Sequence, residues 1–425
     1  MNLNFFSLVI KNGFKTLVFK ITGLLLSYLM ILFVTNNFGA AIYGKFSISL
    51  IFSQIIALVF TLGFPSFMVT LLTNKLHFEQ QHKTNFFKKI LFLISCLGII
   101  ISLVIYFFSN VIASYIFNDV SFVPFLKVLS FLVLPIMLHE IFLGYLKGMQ
   151  SFTLHNLFLF ILPPVFFFLA YFLLHKVCET DALVFIAYTI GIFCIVVLEI
   201  ILTDRKYVTR LKDIPTSFLL KRSLPMMYSG ALIYVIGWTD VLMLKIFKSS
   251  VEVGIYNATF KVASLGLLVI TSINIVITPK ISELFIKKDL ESLHKLIFQT
   301  TWLTTLLSLP LFVGLLIFNK EILSLFGPEF IAGSTAMVCI VSGIFINVFS
   351  GVVDQLLNMT NNQNILKRIV VFSLLLNVIF NCILIPKYGI NGAAFASLVT
   401  NIILNFTCVF FIKKKLGFYT FLRGT

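Results

Sequence analysis

Continuous apolar runs of about 20 residues dominate the chain, and short polar segments separate them. The first six runs lie at about Lys15–Asn37, Tyr43–Thr73, Phe86–Asn110, Phe122–Leu146, Leu154–Leu174 and Ala182–Thr203. Six more follow at about Leu224–Phe247, Val253–Thr278, Ile297–Phe318, Phe330–Leu357, Ile369–Ile385 and Asn391–Ile412. About 20 apolar residues suffice for one helical crossing of the hydrocarbon core. The runs do not alternate with period two, as β-barrel spans would. The pattern predicts an all-α polytopic membrane protein of about 12 transmembrane helices. A basic polar segment near the midpoint divides it into two six-helix lobes, residues 1–203 and 224–425, joined by a cytoplasmic linker, 204–223.

Composition strengthens this reading. The 425 residues are 59% hydrophobic and 11% charged, against about 25% charged in an ordinary soluble chain. Soluble enzymes, disordered tails and secreted disulfide modules are excluded. Cys96, Cys194, Cys339, Cys382 and Cys408 sit in apolar runs and Cys178 in a short loop, without CxxC or a His cluster. They read as small buried hydrophobes, and neither a disulfide framework, a metal nor a cofactor is expected. The first run is too long for a signal-peptide core and lacks a small-residue cleavage site, so it reads as the first span.

The net charge of +16 would suggest nucleic acid in a soluble chain. Its placement says otherwise. With the N-terminus cytoplasmic, 23 of the 32 Lys and Arg fall on one face, including Lys75, Lys83, Arg205, Lys206, Arg210, Lys212 and Arg423. The other face holds Lys45, Lys176, Lys245, Lys248, Lys320 and Lys387. The positive-inside rule then gives N-in and C-in, and no nucleic-acid partner. A faint internal echo supports duplication. Tyr43-Gly44-Lys45-Phe46-Ser47 opens the second span, and Val253-Gly254-Ile255-Tyr256-Asn257 opens the eighth, 210 residues later. Loops are too short for a nucleotide-binding or catalytic domain, and GxxxxGK[ST], HExxH and GxSxG are absent.

Ionisable groups within spans cost roughly 2.5–3.5 kcal/mol each and need a reason. Lys20 in the first span and Lys127 in the fourth either snorkel to an interface or line a cavity. Glu140, beside His139, lies about 140° around the helix from Lys127, so the two do not pair along it. A structural partner or a coupling role fits Glu140. Asp240 and Lys261, on consecutive antiparallel spans, fall at similar depth. They read as a buried pair or as a lumen-facing site for substrate or gating. Asn377/Asn381 and Asn401/Asn405 are i,i+4 pairs suited to interhelical hydrogen bonds. Asp354 reads as interfacial. Pro135, Pro163, Pro164 and Pro310 interrupt spans, whereas Pro225 and Pro279 read as punctuation near span ends.

An ordered set of short motifs runs along nearly the whole chain. It comprises Phe38-Gly39, Tyr43-Gly44-Lys45-Phe46, Leu62-Gly63-Phe64 in the second span, Leu224-Pro225, Asp240-Val241-Leu242, Val253-Gly254-Ile255-Tyr256, Pro279-Lys280 ending the eighth span, and Ile385-Pro386-Lys387-Tyr388-Gly389-Ile390-Asn391-Gly392-Ala393-Ala394. In these the chain resembles the O-antigen (Wzx-type) polysaccharide flippases of the multidrug/oligosaccharidyl-lipid/polysaccharide exporter superfamily. The resemblance implies two lobes rocking about a central cavity, with no catalytic chemistry. It implies an undecaprenyl-pyrophosphate-linked oligosaccharide carried across the bacterial inner membrane for O-antigen or capsule synthesis. Membrane lipid, a polysaccharide polymerase and a chain-length regulator are candidate partners. Intramembrane arginines are few, so Lys20, Lys127 and Lys261, with Asp240, are the candidate substrate-binding residues, and Glu140 and Asp240 the candidate coupling or gating residues. Two other classes stay open: a cation-coupled small-molecule exporter of the same superfamily, and a membrane-embedded glycan polymerase or acyltransferase.

Overall fold

The computed structural model describes residues 3–73, 86–177, 180–206 and 216–422. Lys75, Lys83, Cys178, Arg210, Lys212, Arg423 and residues 207–215 of the expected linker lie outside them. Among the described residues there is helix and no strand. The principal helices are α1 (Leu3–Phe60), α2 (Phe64–Thr73), α3 (Phe86–Phe107), α4 (Val123–Gly148), α5 (Leu162–Leu174), α6 (Leu183–Lys206), α7 (Thr216–Phe247), α8 (Ser250–Ala263), α9 (Leu268–Ile286), α10 (Leu290–Ile317), α11 (Ser334–Ser350), α12 (Val353–Met359) and α13 (Gln363–Leu416). Among the described residues, nine helical stretches are long and apolar enough to cross a membrane. The chain is a polytopic all-α membrane protein. The chain divides into two compact units: Met1–Phe38 with Lys45–Trp238, and Gly39–Gly44 with Thr239–Thr425.

Two of the long helices are hairpins. In α1 the backbone leaves helical geometry at Gly39 (φ 73°), and in α13 at Gly389 (φ 55°). Such left-handed φ values suit glycine. Phe33 and Phe46, on either side of Gly39, touch the adjacent residues Phe168 and Phe167 of α5, with ring centroids 5.5 and 6.4 Å apart. On one straight helix those two side chains would lie about 20 Å apart, so the arms of α1 fold back. Each break leaves the next arm with unpaired backbone N–H groups. The Glu329 carboxylate accepts from the Ala40 N–H just past the first break. At the second, Glu252 Oε1 sits where a Cβ on Gly389 would come within 2.6 Å of it. Ser249 and Glu252 also form the capping box that starts α8.

Several expected boundaries move. Leu62-Gly63-Phe64 is a turn between α1 and α2 rather than mid-span: Leu62 and Gly63 have φ of 54° and 74°. Pro225 and Pro279 lie inside α7 and α9 rather than at their ends. One missing N–H costs a single ladder bond, and the flanking turns carry each helix onward. The run Phe330–Leu357 is interrupted at Gly351 (φ 81°), between α11 and α12. Pro163 and Pro164 follow a π-helical stretch, Leu157–Ile161, as expected where prolines remove consecutive N–H donors. Cys96 and Cys382 are exposed rather than buried, and the described cysteines are free thiols. Lys245, placed by sequence among outer loops and helix ends, is buried and donates to Ser250 Oγ at 2.9 Å.

Beyond the apolar stretch of α9, Glu283 accepts from Lys287 (2.7 Å) and Lys280 (2.9 Å). These bonds hold its carboxyl at about 2, below the ordinary 4.5. A depressed carboxyl stabilises the fold fully above its unfolded value and loses that contribution as pH falls through the folded one. Unfolding temperature is therefore expected to be level from pH 7 to about 4.5 in respect of this pair, then to fall towards pH 2. The Glu283→Gln variant is expected to lose that component, and high salt to shrink it in the parent, because all three groups are exposed.

Candidate functional site

The helix pair α7–α8 turns tightly at 248–249, so residues equidistant from the turn face one another. Asp240 lies seven residues before the end of α7 and Tyr256 six residues after the start of α8. Tyr256 donates its hydroxyl to Asp240 Oδ2 at 2.7 Å. From the first arm of α13, Asn377 and Asn381 both donate Nδ2 to Asp240 Oδ1, at 3.2 and 2.7 Å. Their i,i+4 spacing stacks the two amides on one face. From the second arm Ser397 donates to Asp240 Oδ2. That both arms of α13 reach one carboxylate shows that the hairpin closes at Gly389. Asp240 is 9% exposed, and Tyr256 and Asn381 are fully buried.

The carboxylate thus has four neutral donors. Hydrogen bonds to a charged group contribute about 1.5–3 kcal/mol each, so four can offset the several kcal/mol of burying one charge. Lys261 is not among these donors. The expected Asp240–Lys261 pair is replaced by an amide and hydroxyl cage, because α13 brings its polar stripe to Asp240 first. Lys261 sits on α8, half-buried. The Oδ1 of Asn381, whose amide nitrogen donates to Asp240, is buried without a hydrogen-bond partner, which adds an oxygen beside the carboxylate. Such a set of one carboxylate and neutral oxygens can hold a proton or a small monovalent cation.

The remaining expected residues lie in the first unit. Thr16 accepts from Asn156 at 2.8 Å, and a Cβ on Gly23 would meet Phe160 Cβ at 2.5 Å. Lys20 falls on the same helical stripe as both and is half-buried, which turns it towards the Phe152–Leu174 span. Lys127 is exposed, with its ammonium 6.0 Å from the Tyr106 ring. Glu140 is half-buried about 20 Å further along α4. Its neighbour His139 is buried against Glu199 of α6. The sequence does not single out Glu199 or Ser397, and it shows Tyr256 only within a motif and not as a site residue. Glu199 carries the clearest overlooked signal, an acid within the apolar run at 182–203.

The second arm of α1 starts against α8. A Cβ on Gly44 would lie 3.0 Å from the Gly254 backbone N, and a Cβ on Gly254 would lie 3.0 Å from the Gly44 N. The two glycines of the faint internal echo are therefore the crossing point of the segments that carry them.

The family described as "Polysaccharide biosynthesis protein" matches residues 9–285, and the MatE family matches residues 225–383. "Probable low-salt glycan biosynthesis flippase Agl15" of Haloferax volcanii is 29% identical over 165 residues, which cover 39% of this chain and 35% of that protein. "Probable flippase AglR" of the same organism is 30% identical over 166 residues, covering 38% and 35%. The chain thus aligns with about a third of the length of each. Among solved structures, "Lipid II flippase MurJ, inward closed conformation" superposes with a TM-score of 0.77 at 18% identity, covering 95% of this chain and 87% of that one. An inward-facing multidrug resistance MATE family transporter of the MOP superfamily gives 0.75 at 12% identity, covering 95% and 98%. At these identities the structural likeness shows the fold alone.

Proposed function

The chain belongs to the polysaccharide biosynthesis protein family, and on that premise we propose that it is a flippase for a lipid-linked oligosaccharide. The observation that carries the reading is the family match along residues 9–285. Relatives named as probable glycan flippases and a fold shared with a lipid II flippase support it. In its finer form, the substrate is an undecaprenyl-pyrophosphate-linked repeat unit moved across a bacterial inner membrane for O-antigen or capsule synthesis. A polymerase and a chain-length regulator act downstream. The two six-helix lobes, 1–203 and 224–425, alternate access with both termini cytoplasmic.

The chemistry of the task is that a pyrophosphate and its glycan cannot cross about 30 Å of hydrocarbon unaided. Lys20, Lys127 and Lys261 supply cations for the pyrophosphate, each as a point charge without the bidentate fork of arginine. Asp240 supplies the coupling or gating group: binding a proton or a monovalent cation there changes the charge inside the α7–α8–α13 cage. The reading assigns no covalent step to the chain. A second reading, a cation-coupled small-molecule exporter, is favoured by the MatE match over 225–383 and by the buried carboxylate within it.

Disruption of the gene is expected to stop surface glycan display while lipid-linked repeat units accumulate on the inner leaflet. Normal display in the disrupted strain would overturn the reading. In complementation at equal expression, Lys261→Ala is expected to restore less display than Lys387→Ala, whose parent lysine is exposed. Equal restoration would remove Lys261 from the substrate site.

A further inference from the structure

A line of polar side chains leaves the Asp240 cage along the second arm of α13. Ser397, Asn401, Asn405 and Cys408 recur at spacings of four, four and three, which puts them on one helical face. Ser397 donates to Asp240 Oδ2 and so belongs to both cage and line. From Ser397 to Cys408 the line covers about 16 Å of helix, towards the end that carries Lys413, Lys414 and Lys415. Phe395, Phe406 and Phe410 of the same arm are exposed on another face. Helix α11 flanks the line. A Cβ on Gly343 would lie 3.5 Å from Asn401 Nδ2, and Asn347 donates Nδ2 to Asn405 Oδ1 at 3.5 Å. At the far end Cys408 is fully buried and within electrostatic reach of Asp354, which is exposed on α12. The first arm of α13 carries a matching stripe. Ser373, Asn377 and Asn381 follow one another at i,i+4 spacing, and Asn377 Nδ2 reaches Ser397 Oγ at 3.5 Å. Ser373 and Asn405 are equally distant in sequence from the break at Gly389. Both are buried, and Ser373 Oγ has no hydrogen-bond partner among the described residues. All these elements belong to the second compact unit.

Bonding between helices does not account for the line. The amide nitrogens of Asn401 and Asn405 turn back onto their own helix, to the Ser397 and Asn401 carbonyl oxygens at 3.0 and 2.9 Å. The reach of Asn347 across to Asn405 is long for a hydrogen bond. Polar groups at membrane depth are tolerated where they line a watered cavity, and they mark ion pathways. Amide and hydroxyl oxygens one helical turn apart, about 6 Å, offer successive partners to water and to a small cation. The Asp240 carboxylate, held by neutral donors, supplies the attraction at one end of the line. The surface at Asp354 marks the other end.

We propose that Ser397, Asn401, Asn405 and Asn347 line a hydrated path by which a small monovalent cation reaches the Asp240 cage from the end of the second unit that carries residues 413–415. The transport reading makes that end cytoplasmic. Use of the path to drive transport rests on the coupling role given to Asp240 above; the path itself does not. No covalent bond is made or broken along it.

The test is silver-ion accessibility on the full chain in lipid vesicles, with its six native cysteines replaced by serine or alanine. Silver is a monovalent cation that enters narrow aqueous paths and blocks thiols. The thiols left over are counted with a maleimide after unfolding. Asn401→Cys is expected to be blocked about tenfold faster, or more, than Phe406→Cys on the exposed apolar face, and only with silver on the 413–415 side. Adding Asn405→Leu puts an apolar constriction across the path and is expected to slow blocking about tenfold. Adding Asp240→Asn is expected to slow it about threefold or more, because the charge that draws the cation inward is gone. A packing role alone gives equal, slow rates at Asn401→Cys and Phe406→Cys. Equal rates, or blocking from the opposite side, overturn the proposal. So does a rate at Asn401→Cys that Asn405→Leu or Asp240→Asn leaves unchanged. Should Asn401→Cys fail to fold, Cys408 kept as the sole thiol takes its place, and blocking no faster than at Phe406→Cys overturns the proposal. The readout needs no substrate, so its failure refutes the path alone. Failure to move a lipid-linked glycan, with the path present, refutes the transport reading alone.

Discussion

Replacing Asp240 with Asn is expected to reduce transport at least tenfold while leaving a helical, membrane-inserted chain. The substitution keeps the shape of the side chain but exchanges an acceptor oxygen for an amide NH2, a donor. At least one of the four donors from Tyr256, Asn377, Asn381 and Ser397 then loses its acceptor. A buried polar group left unsatisfied costs about 1–3 kcal/mol. Asp240→Leu removes both acceptor oxygens; Asn381 keeps its bond to Asn377 Oδ1, but the Tyr256 and Ser397 hydroxyls lose their acceptor, and the variant is expected to destabilise by more than Asp240→Asn, at about 1–3 kcal/mol for each buried donor left unsatisfied. The charge that would bind a proton or cation is lost in both variants. Asp354, exposed on α12, is the control: Asp354→Asn is expected to stay within about 0.5 kcal/mol of the parent. Glycan display and detergent unfolding temperature measure the two effects separately. Parent-level transport by Asp240→Asn would remove the coupling role from this residue.

Gly44→Leu and Gly254→Leu are each expected to abolish recovery of folded protein, and even Gly44→Ala is expected to cost about 1–3 kcal/mol. The reason is that the obstacle is backbone. A Cβ on Gly44 would meet the Gly254 N at 3.0 Å and the Ser250 carbonyl more closely still, and no rotamer change can relieve either contact. Gly237 and Gly314 give the contrast, because a Cβ on either meets nothing within 4 Å. Gly→Ala there is expected to stabilise the helix by about 0.5–1 kcal/mol through lower backbone entropy. Thermal unfolding and size-exclusion profiles of the Gly44→Ala, Gly237→Ala and Gly314→Ala variants make the comparison. A normal profile for Gly44→Ala would mean that the crossing can open without cost.

These two sites show what the sequence could and could not disclose. The spans were legible because hydrophobicity over about 20 residues is a one-dimensional signal. Gly44 and Gly254 were legible as an echo, and their mutual contact was not, since it depends on how a hairpin at Gly39 presents its second arm. The glycine of Leu62-Gly63 was visible, but its φ of 74° and the turn it makes were hidden by apolar neighbours on both sides. Asp240 stood out as a charge within a span. Asn377 and Asn381 stood out as an interhelical hydrogen-bonding pair, but their link to Asp240 did not, because they and Ser397 lie 137 to 157 residues away from it. Proximity along the chain favoured Lys261 as the partner, and the α13 hairpin overrode it. Glu199 was hidden for a simpler reason: its partner His139 lies on a helix 60 residues earlier, so neither residue alone revealed a pair.

Movement of a lipid-linked glycan can be followed by reconstituting the full chain into vesicles carrying such a lipid in the inner leaflet. The measurement is the fraction of glycan that becomes accessible to a membrane-impermeant enzyme outside. The expected result is rapid exposure of the inner pool with the parent chain and little above empty vesicles with Asp240→Asn. Inner-leaflet glycan that stays protected in the presence of the folded parent, while a small cationic solute is exported from the same vesicles, would show an exporter rather than a flippase.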